Sequence, residues 1–513
     1  MKIVNIEEMK KIEKETSERF GYDLKLVQEN AGISIVNILE KKIENLYSKN
    51  ILFLIGKGNN GGDGLVAART LYNRGGNVLV LLFEKEDELR ESVKYNLKIL
   101  KKMGVEPEYC TNQQMIPKLI DAIIKSDVIV DGIFGIGFKG EPDQFYSKIF
   151  DTVNSFRKLT IAIDVPSGVN ADSGAAKNAI FADLTITFGL PKIGFAFFPA
   201  RHYLGEIIIS NVNFPRELLY GGNNELVTAG MAKSLLPLRR KDSHKGNYGK
   251  MLVVGGSQGY TGASIFVCRA ALKTGVGLLY IATPESLNTI YETSLPEVIS
   301  IPIKTNEDGS FSITEKVKIT EKLKEMNSVV IGPGLGKTYD KTDLLISLLK
   351  EITIPIVIDA DAIRILKEIP NYENLLNEKM VLTPHYGEFS YLTEIPIEEL
   401  KTDPIKYSKE FVKKTNTVLV LKGNPSIITT PEGKIFISTR GNSGLSTGGS
   451  GDVLAGMIGS YIAQGKSTVE ASVLSVFLHG YTAELYSQEY AEESLLPSKL
   501  IDYLPISLKE LRK

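Results

Sequence analysis

The sequence predicts an α/β protein of two three-layer αβα domains, each built on a mostly parallel sheet. Three observations carry this reading. Short β-branched runs alternate with helical periodicity almost throughout, the pattern of parallel strands covered on both faces by helices. The chain has 513 residues, too many for one compact core. Clusters of glycine and aspartate fall directly after the apolar runs, where open parallel sheets form their ligand sites.

The strands are expected at Ile51–Ile55, Val78–Phe83, Val128–Val130, Ile161–Ile163, Leu184–Phe188 and Ile207–Ile209. A second series runs through Met251–Val254, Leu278–Ala282, Val329–Ile331, Ile356–Ile358, Met380–Leu382 and Val418–Leu421. Tyr220-Gly221-Gly222-Asn223-Asn224 interrupts the alternation, and the basic segment Arg239-Arg240-Lys241 follows. A boundary near residues 217–235 therefore separates domains of 1–225 and 226–513. No internal repeat and no low-complexity tract occurs.

Composition excludes several classes. Lys plus Arg number 60 and Asp plus Glu 61, a balance that gives no footprint for nucleic acid or a membrane surface. The start of the chain is charged and lacks a signal-peptide core, and no apolar run is long enough to span a bilayer. The two cysteines, Cys110 and Cys268, have no metal-ligand spacing, so a reduced, cytoplasmic setting is expected.

In the N-terminal half, the strand ILFLI runs into Gly56-Lys57-Gly58-Asn59-Asn60-Gly61-Gly62-Asp63-Gly64 and then a helical stretch. A glycine-rich turn at a helix N-terminus presents amides and a positive dipole end to phosphate. Gly56, Gly58 and Gly61 satisfy the dinucleotide fingerprint, and Glu84 ends the next strand, but those glycines alone also describe a plain tight turn. Asn59 and Asn60 with Asp63 are more specific. Two further strand ends carry Asp131, followed by the flexible loop Gly135–Glu141, and Asp164, followed by Pro166, Ser167 and Gly168. A strand-end aspartate can be only a helix cap. Three such clusters are expected to converge on one pocket.

In the C-terminal half, Gly255-Gly256-Ser257 and Tyr260-Thr261-Gly262-Ala263 follow one strand. Gly332, Gly334 and Gly336 follow a second, Asp359 and Asp361 a third, His385 and Glu388 a fourth, and Lys422 to Ser426 a fifth. The strongest signal is Thr447 to Gly451, a run of small residues, with Asp452 at the start of an apolar helix. That arrangement builds an anion hole beside a carboxylate. The carboxylate can take a proton from an attacking hydroxyl while the amides hold a transferring phosphoryl group. The bland alternatives are an N-cap for Asp452 and a satisfied loop residue for His385. His202, His244 and His479 are read as background.

NNGGDG, DGIFGIGFKGE and DVPSGVNADSG together resemble the NAD(P)H-hydrate epimerase family, the YjeF N-terminal domain, as does QENAG at 28–32. GGSQGYTGA, GPGLG, TPHYGE, LKGNPS and GNSGLSTGGSGD, in this order, resemble the ADP-dependent NAD(P)H-hydrate dehydratase, a ribokinase-like fold. The resemblance covers nearly the whole chain and implies an N-terminal Rossmann-like and a C-terminal ribokinase-like domain. It implies epimerisation of the R and S forms of the hydrates NADHX and NADPHX. It also implies dehydration of the S form to NADH or NADPH with ADP, giving AMP and phosphate.

By position, the resemblance implies a substrate site in a loop of Asn59, Asn60, Gly61, Gly62 and Asp63, and in Gly135, Ile136, Gly137, Phe138, Lys139, Gly140 and Glu141. Asp164 would contact the substrate and is the candidate for proton transfer. A potassium ion held by Asn60, Asp131 and Ser167 is implied; hard oxygen ligands suit an alkali cation. In the second domain, Lys422, Gly423, Asn424, Pro425, Ser426 and Gly451 would contact the adenine nucleotide. Ala263, Gly334, His385 and Asp452 would contact the hydrate, with Asp452 as base. Ser426 departs from the family's usual threonine but keeps the hydroxyl. Magnesium suits the diphosphate, though no residue fixes it. The expected partners are the hydrates and ADP, with no nucleic acid and no membrane, in a homo-oligomer. Three rival readings are a vitamin or sugar kinase with an accessory domain, an NAD-dependent oxidoreductase, and a noncatalytic N-terminal nucleotide-binding module.

Overall fold

The structure is a computed structural model that describes residues 1–305, 313–336 and 340–513. It divides into two compact units, Lys2–Gly222 and Asn223–Lys513 with Met1. Each of the twelve runs named above forms a strand.

The first unit holds β1 (Asn50–Ile55), β2 (Asn77–Leu82), β3 (Glu108–Tyr109), β4 (Val128–Gly132), β5 (Leu159–Ile163), β6 (Leu184–Phe188) and β7 (Glu206–Ser210). They make one parallel sheet in the order β3-β2-β1-β4-β5-β6-β7. The strand order reverses between β1 and β4, which opens a crevice past their carboxyl ends. Leu54 pairs with Asp131 and Asp131 with Ala162, so the carboxylate lies at that reversal. The apolar runs are continuous because both faces are covered; every residue of β4 is buried.

The second unit holds β8 (Asn224–Leu226), β9 (Lys250–Val254), β10 (Leu278–Pro284), β11 (Ile299–Ile303), β12 (Ser328–Ile331), β13 (Ile356–Ile358), β14 (Met380–Leu382), β15 (Val418–Leu421), β16 (Ser426–Thr429) and β17 (Ile435–Ser438). Their order is β11-β10-β9-β12-β13-β14-β15-β16-β17-β8. β11 through β15 are parallel; β16 is antiparallel to both β15 and β17. Here the reversal lies between β9 and β12. Pro302 sits inside β11, at the sheet edge, where a missing N–H costs least.

Glycines let the helices approach closely. Every residue from Val453 to Ala463 in the helix Ser450–Ala463 is buried. A Cβ on Gly456 would lie 2.3 Å from the Val267 carbonyl oxygen of the helix Thr261–Thr274. A side chain there would force the two helices apart. This contact holds the helix that begins beside Asp452 against the helix Thr261–Thr274.

Two candidate active sites

In the first unit, the segment expected as a loop at 59–63 is the opening of a helix, Asn59–Asn73, with Gly58 as its N-cap. The glycines are there for packing. A Cβ on Gly61 would lie 2.1 Å from the Gly56 carbonyl oxygen, and one on Gly62 2.3 Å from Gln28 Nε2. The helix start is thus pressed onto the turn Gly56–Gly58 and onto the helix Leu24–Lys42, which contains QENAG. Asn59 is exposed, and its carbonyl accepts from Gln28 Nε2 at 3.2 Å.

Asn60, Asp131 and Ser167 are buried and come together. Ser167 donates from Oγ to Asp131 Oδ1 at 2.6 Å and from its backbone to Oδ2 at 2.8 Å. Asn60 Nδ2 donates to the carbonyls of Phe134 and Ile163 at 2.8 and 3.0 Å. The Phe134 amide donates to Ser167 Oγ at 2.8 Å. Burial pushes the Asp131 carboxyl up to about 6, against the pull of its hydrogen bonds from Ser167 and Ile133. Among the described residues no cationic side chain pairs with it. A buried carboxylate, a hydroxyl, an amide oxygen and two carbonyls form an all-oxygen donor set, and this fits a monovalent cation.

The loop Gly135–Glu141 starts beside this cluster, since a Cβ on Gly135 would lie 3.1 Å from Asn60 Cγ. Phe138 stacks on Phe134 at 5.0 Å. Ile136 is half-buried, Gly137, Lys139 and Gly140 are exposed, and Glu141 pairs with Lys177 at 2.8 Å on the surface.

Asp164 follows β5 with φ of 60°, a left-handed conformation that aspartate tolerates better than most residues. Its Oδ1 accepts from Thr187 Oγ1 at 2.9 Å, the Phe188 amide at 3.2 Å and Lys192 Nζ at 2.5 Å. Sequence reasoning missed Lys192, which is 1% exposed. Its signal was available: from Leu184 to Ala200 it is the only charged residue. Two more carboxyls face this pair. Burial, then the charge of Asp164, raises Glu13; burial, then Asp164 and Glu13, raises Asp63 well above the usual carboxylate range.

In the second unit, the turn to Ser450–Ala463 passes through Gly449, with φ of 100°, at the N-cap. A side chain there would meet Phe266 at 2.9 Å. The first-turn amides of Gly451 and Asp452 precede any intrahelical acceptor and stay open to an anion. Lys422 Nζ lies 2.9 Å from Asp359 Oδ1 and 3.9 Å from Glu388 Oε2. It also sits against the helix start, 3.1 Å from where a Cβ on Gly451 would be. Burial pulls its ammonium down, but Asp359, Glu388 and Asp452 together raise it. Burial, then the charge of Asp359, pushes Asp452 up to about 7 although Lys422 opposes the shift.

The remaining expected residues fall around this centre. His385 caps the helix Tyr386–Thr393, its Nδ1 accepting from the Glu388 amide at 3.1 Å, and it bridges Lys422 across the strand ends. Lys422 to Pro425 make the connection from β15 to β16, closed by Ser426 Oγ donating to the Gly423 carbonyl at 2.9 Å. Gly334, with φ of 68°, packs on the Tyr260 carbonyl just before the helix that carries Ala263. Ser257 Oγ donates to the Gly334 carbonyl at 2.8 Å. His479, read as background, is buried with Nε2 2.9 Å from the Ser450 carbonyl oxygen. Burial holds it neutral, at about 4, and its bond to the Ser450 carbonyl ties down the start of the helix Ser450–Ala463.

Comparison with known proteins identifies the family. Residues 251–506 match the NAD(P)H-hydrate dehydratase family and residues 25–194 the YjeF-related protein N-terminus. The bifunctional NAD(P)H-hydrate repair enzyme of Dictyoglomus turgidum is 34% identical over 100% of this chain and 99% of its own length. The chain belongs to the bifunctional NAD(P)H-hydrate repair enzyme family. The enzyme of that name from Moorella thermoacetica is 33% identical over 100% of this chain and 98% of its own. Among solved structures, a ribokinase-like superfamily protein from Enterococcus faecalis matches at 27% identity and a TM-score of 0.50, covering 57% of this chain and 99% of that one. Membership in the repair family sets aside the plain kinase and the oxidoreductase. No helix among the described residues is long and apolar enough to cross a membrane.

Proposed function

We propose that residues 1–225 epimerise the R and S forms of NADHX and NADPHX, and that residues 226–513 dehydrate the S form with ADP. One observation carries the reading. Each unit holds its own buried ammonium–carboxylate centre at the carboxyl ends of its strands, Lys192 with Asp164 and Lys422 with Asp359 beside Asp452.

For dehydration, hydroxide is a poor leaving group and a phosphate ester a good one. Asp452 takes the proton of the ring hydroxyl as its oxygen attacks the β-phosphorus of ADP, and AMP departs. The ring nitrogen lone pair then expels phosphate, and loss of a proton from the neighbouring ring carbon restores the reduced nicotinamide. The amides of Gly451 and Asp452 and the Lys422 ammonium balance the phosphoryl charge. We assign Lys422 to Ser426 and Gly451 to the nucleotide, and Ala263, Gly334, His385 and Asp452 to the hydrate.

For epimerisation, Asp164 moves the proton at the inverting centre. The substrate lies along Asn59 to Asp63 and Gly135 to Glu141. Potassium at Asn60, Asp131 and Ser167 would supply positive charge at the crevice; magnesium would accompany the diphosphate of ADP. A cytoplasmic homo-oligomer fits a soluble metabolite-repair role. The test is to incubate mixed hydrate epimers with and without ADP and follow reduced-nicotinamide absorbance. Full recovery with ADP, including the R share, supports both activities; a stable phosphorylated product would overturn the dehydratase assignment.

A further inference from the structure

We propose that Lys192 is a positioning residue of the epimerase centre: its ammonium locks Oδ1 of Asp164 and leaves Oδ2 to take and return the proton. This rests on the assignment of Asp164 made above. Three donors, from Thr187, Phe188 and Lys192, converge on Oδ1. No donor among the described residues bonds Oδ2. The Asp164 side chain is 13% exposed and that of Lys192 is 1% exposed, so the carboxylate meets the crevice and the ammonium does not. Lys192 therefore acts through Asp164 and not on substrate.

The lysine is itself held. Nζ also donates to Thr187 Oγ1 at 2.8 Å and to the Phe188 carbonyl at 3.3 Å. Its backbone makes a bridge with Val4. The ammonium is thus fixed by strand β6 and cannot swing to another acid. Glu13, on the helix Ile6–Glu18, and Asp63, in the first turn of Asn59–Asn73, are the other carboxyls facing Asp164. Of these three carboxyls, the ammonium bonds Asp164. Burial, then the charges of Asp164 and Glu13, push the Asp63 carboxyl well above the usual carboxylate range. Oδ2 takes the hydroxyl proton as the ring carbon–nitrogen bond breaks and the oxygen becomes a carbonyl; the nitrogen electron pair then closes on the other face of that carbonyl, the oxygen takes the proton back, and Asp164 ends as it began.

The experiment measures epimerisation of a pure epimer in the full chain, without ADP, by chromatographic separation of R and S. Lys192→Met keeps the stem and removes the charge. It should lower kcat about 100-fold with KM within about threefold, since a positioned proton-transfer group contributes about 10²–10⁴-fold. Lys192→Arg should recover part of the rate, and Thr187→Val, which keeps the ammonium, should fall less. The double variant Lys192→Met, Asp164→Asn should be no slower than Asp164→Asn alone, because residues acting as a unit are not additive. If Lys192→Met folds poorly, the ranking of Arg and Thr187→Val variants decides the matter by itself. Lys192→Met within threefold of the parent in kcat, or Lys192→Arg no better than Met, overturns the role of Lys192. Asp164→Asn with normal epimerisation overturns the site assignment instead, whatever Lys192 does.

Discussion

Raising the pH from 6 to 8 should speed ADP-dependent dehydration by about tenfold. Asp452 must be ionised to accept the hydroxyl proton, and its carboxyl titrates at about 7. The ionised share is then about one-tenth at pH 6 and nine-tenths at pH 8, and kcat/KM of the free enzyme reports it. The neighbours fix the direction of two variants. After burial, the Asp359 charge contributes most to the upward shift, and Lys422 opposes it. Asp359→Asn should move the acidic limb to lower pH, and Lys422→Met to higher pH. Rates are measured as initial rates of absorbance recovery from the pure S hydrate, with hydrate and ADP both well below their KM.

The same displacement makes a stability prediction. A carboxyl moved from its ordinary 3.8 to about 7 binds a proton more tightly in the fold than in the unfolded chain. The associated stability is present below pH 3.8 and is lost as pH rises through 7. At about 1.4 kcal/mol per tenfold change in proton affinity, the loss is on the order of 4 kcal/mol at pH 8. Asp452→Asn, which never ionises, should therefore nearly abolish dehydration yet melt higher than the parent at pH 8. The gap should close toward pH 4, and epimerisation should remain. A flat pH–rate profile between 6 and 8, or limbs that move the other way, would refute the assignment of Asp452 as the titrating base.

Asp164→Asn should cut epimerisation about 10²-fold or more while leaving dehydration of pure S hydrate unchanged, as read by the same absorbance assay with each epimer. Potassium should raise the melting temperature more than sodium or lithium at equal ionic strength. At ten times its Kd it adds about 1.4 kcal/mol, and Ser167→Ala should blunt the difference. Lys422→Met should weaken ADP binding about tenfold by titration calorimetry on the full chain, with Asp164→Asn binding normally. Gly56→Ala should cost at least about 2 kcal/mol in denaturant titration, because its Cβ would sit 2.0 Å from the Ile133 carbonyl oxygen.

The fold was legible because parallel strands buried on both faces are continuous apolar runs, and twelve such runs stand out against polar helix faces. Of the five unread strands, β16 and β17, Ser-Ile-Ile-Thr and Ile-Phe-Ile-Ser, are apolar but are antiparallel neighbours outside the strand–helix alternation, and the other three lack the apolar signature. β3 has two residues, β8 reads Asn-Glu-Leu, and β11 carries Pro302. The carboxyls of the two sites were legible for a related reason: Asp131, Asp164, Asp359 and Asp452 follow apolar runs or open an apolar helix. Their ion pairs were not. Lys192 stands out as the only charge between Leu184 and Ala200, and Lys422 was expected at the nucleotide, but their pairing with Asp164 and Asp359 is made by strand order, a long-range property that local patterns do not encode. The Asn59–Asp63 segment was misread as a loop because glycines usually mark turns. Here they mark close packing, since the helix start has Gly56 beneath it and Gln28 beside it. His479 was set aside because nothing in its own segment distinguishes it; its partner is the Ser450 carbonyl, 29 residues away in sequence.

The two centres use one device in two ways. Lys192 donates directly to the carboxylate that is assigned the proton transfer, which fixes that group's orientation. Lys422 donates to Asp359 instead, so Asp452 feels both charges but is bonded to neither. An acid left in that field rises to about 7, where a base is both largely available and still strong enough to strip a hydroxyl during phosphoryl transfer. A chain that must restore both epimers gains from this separation. The dehydratase base titrates with its own neighbours, Asp359, Lys422, Asp361 and Glu388. None of these is a residue of the first unit. The acidic limb expected of dehydration is thus set within the second unit, and Asp359→Asn and Lys422→Met should move it while leaving the epimerisation pH profile where it was.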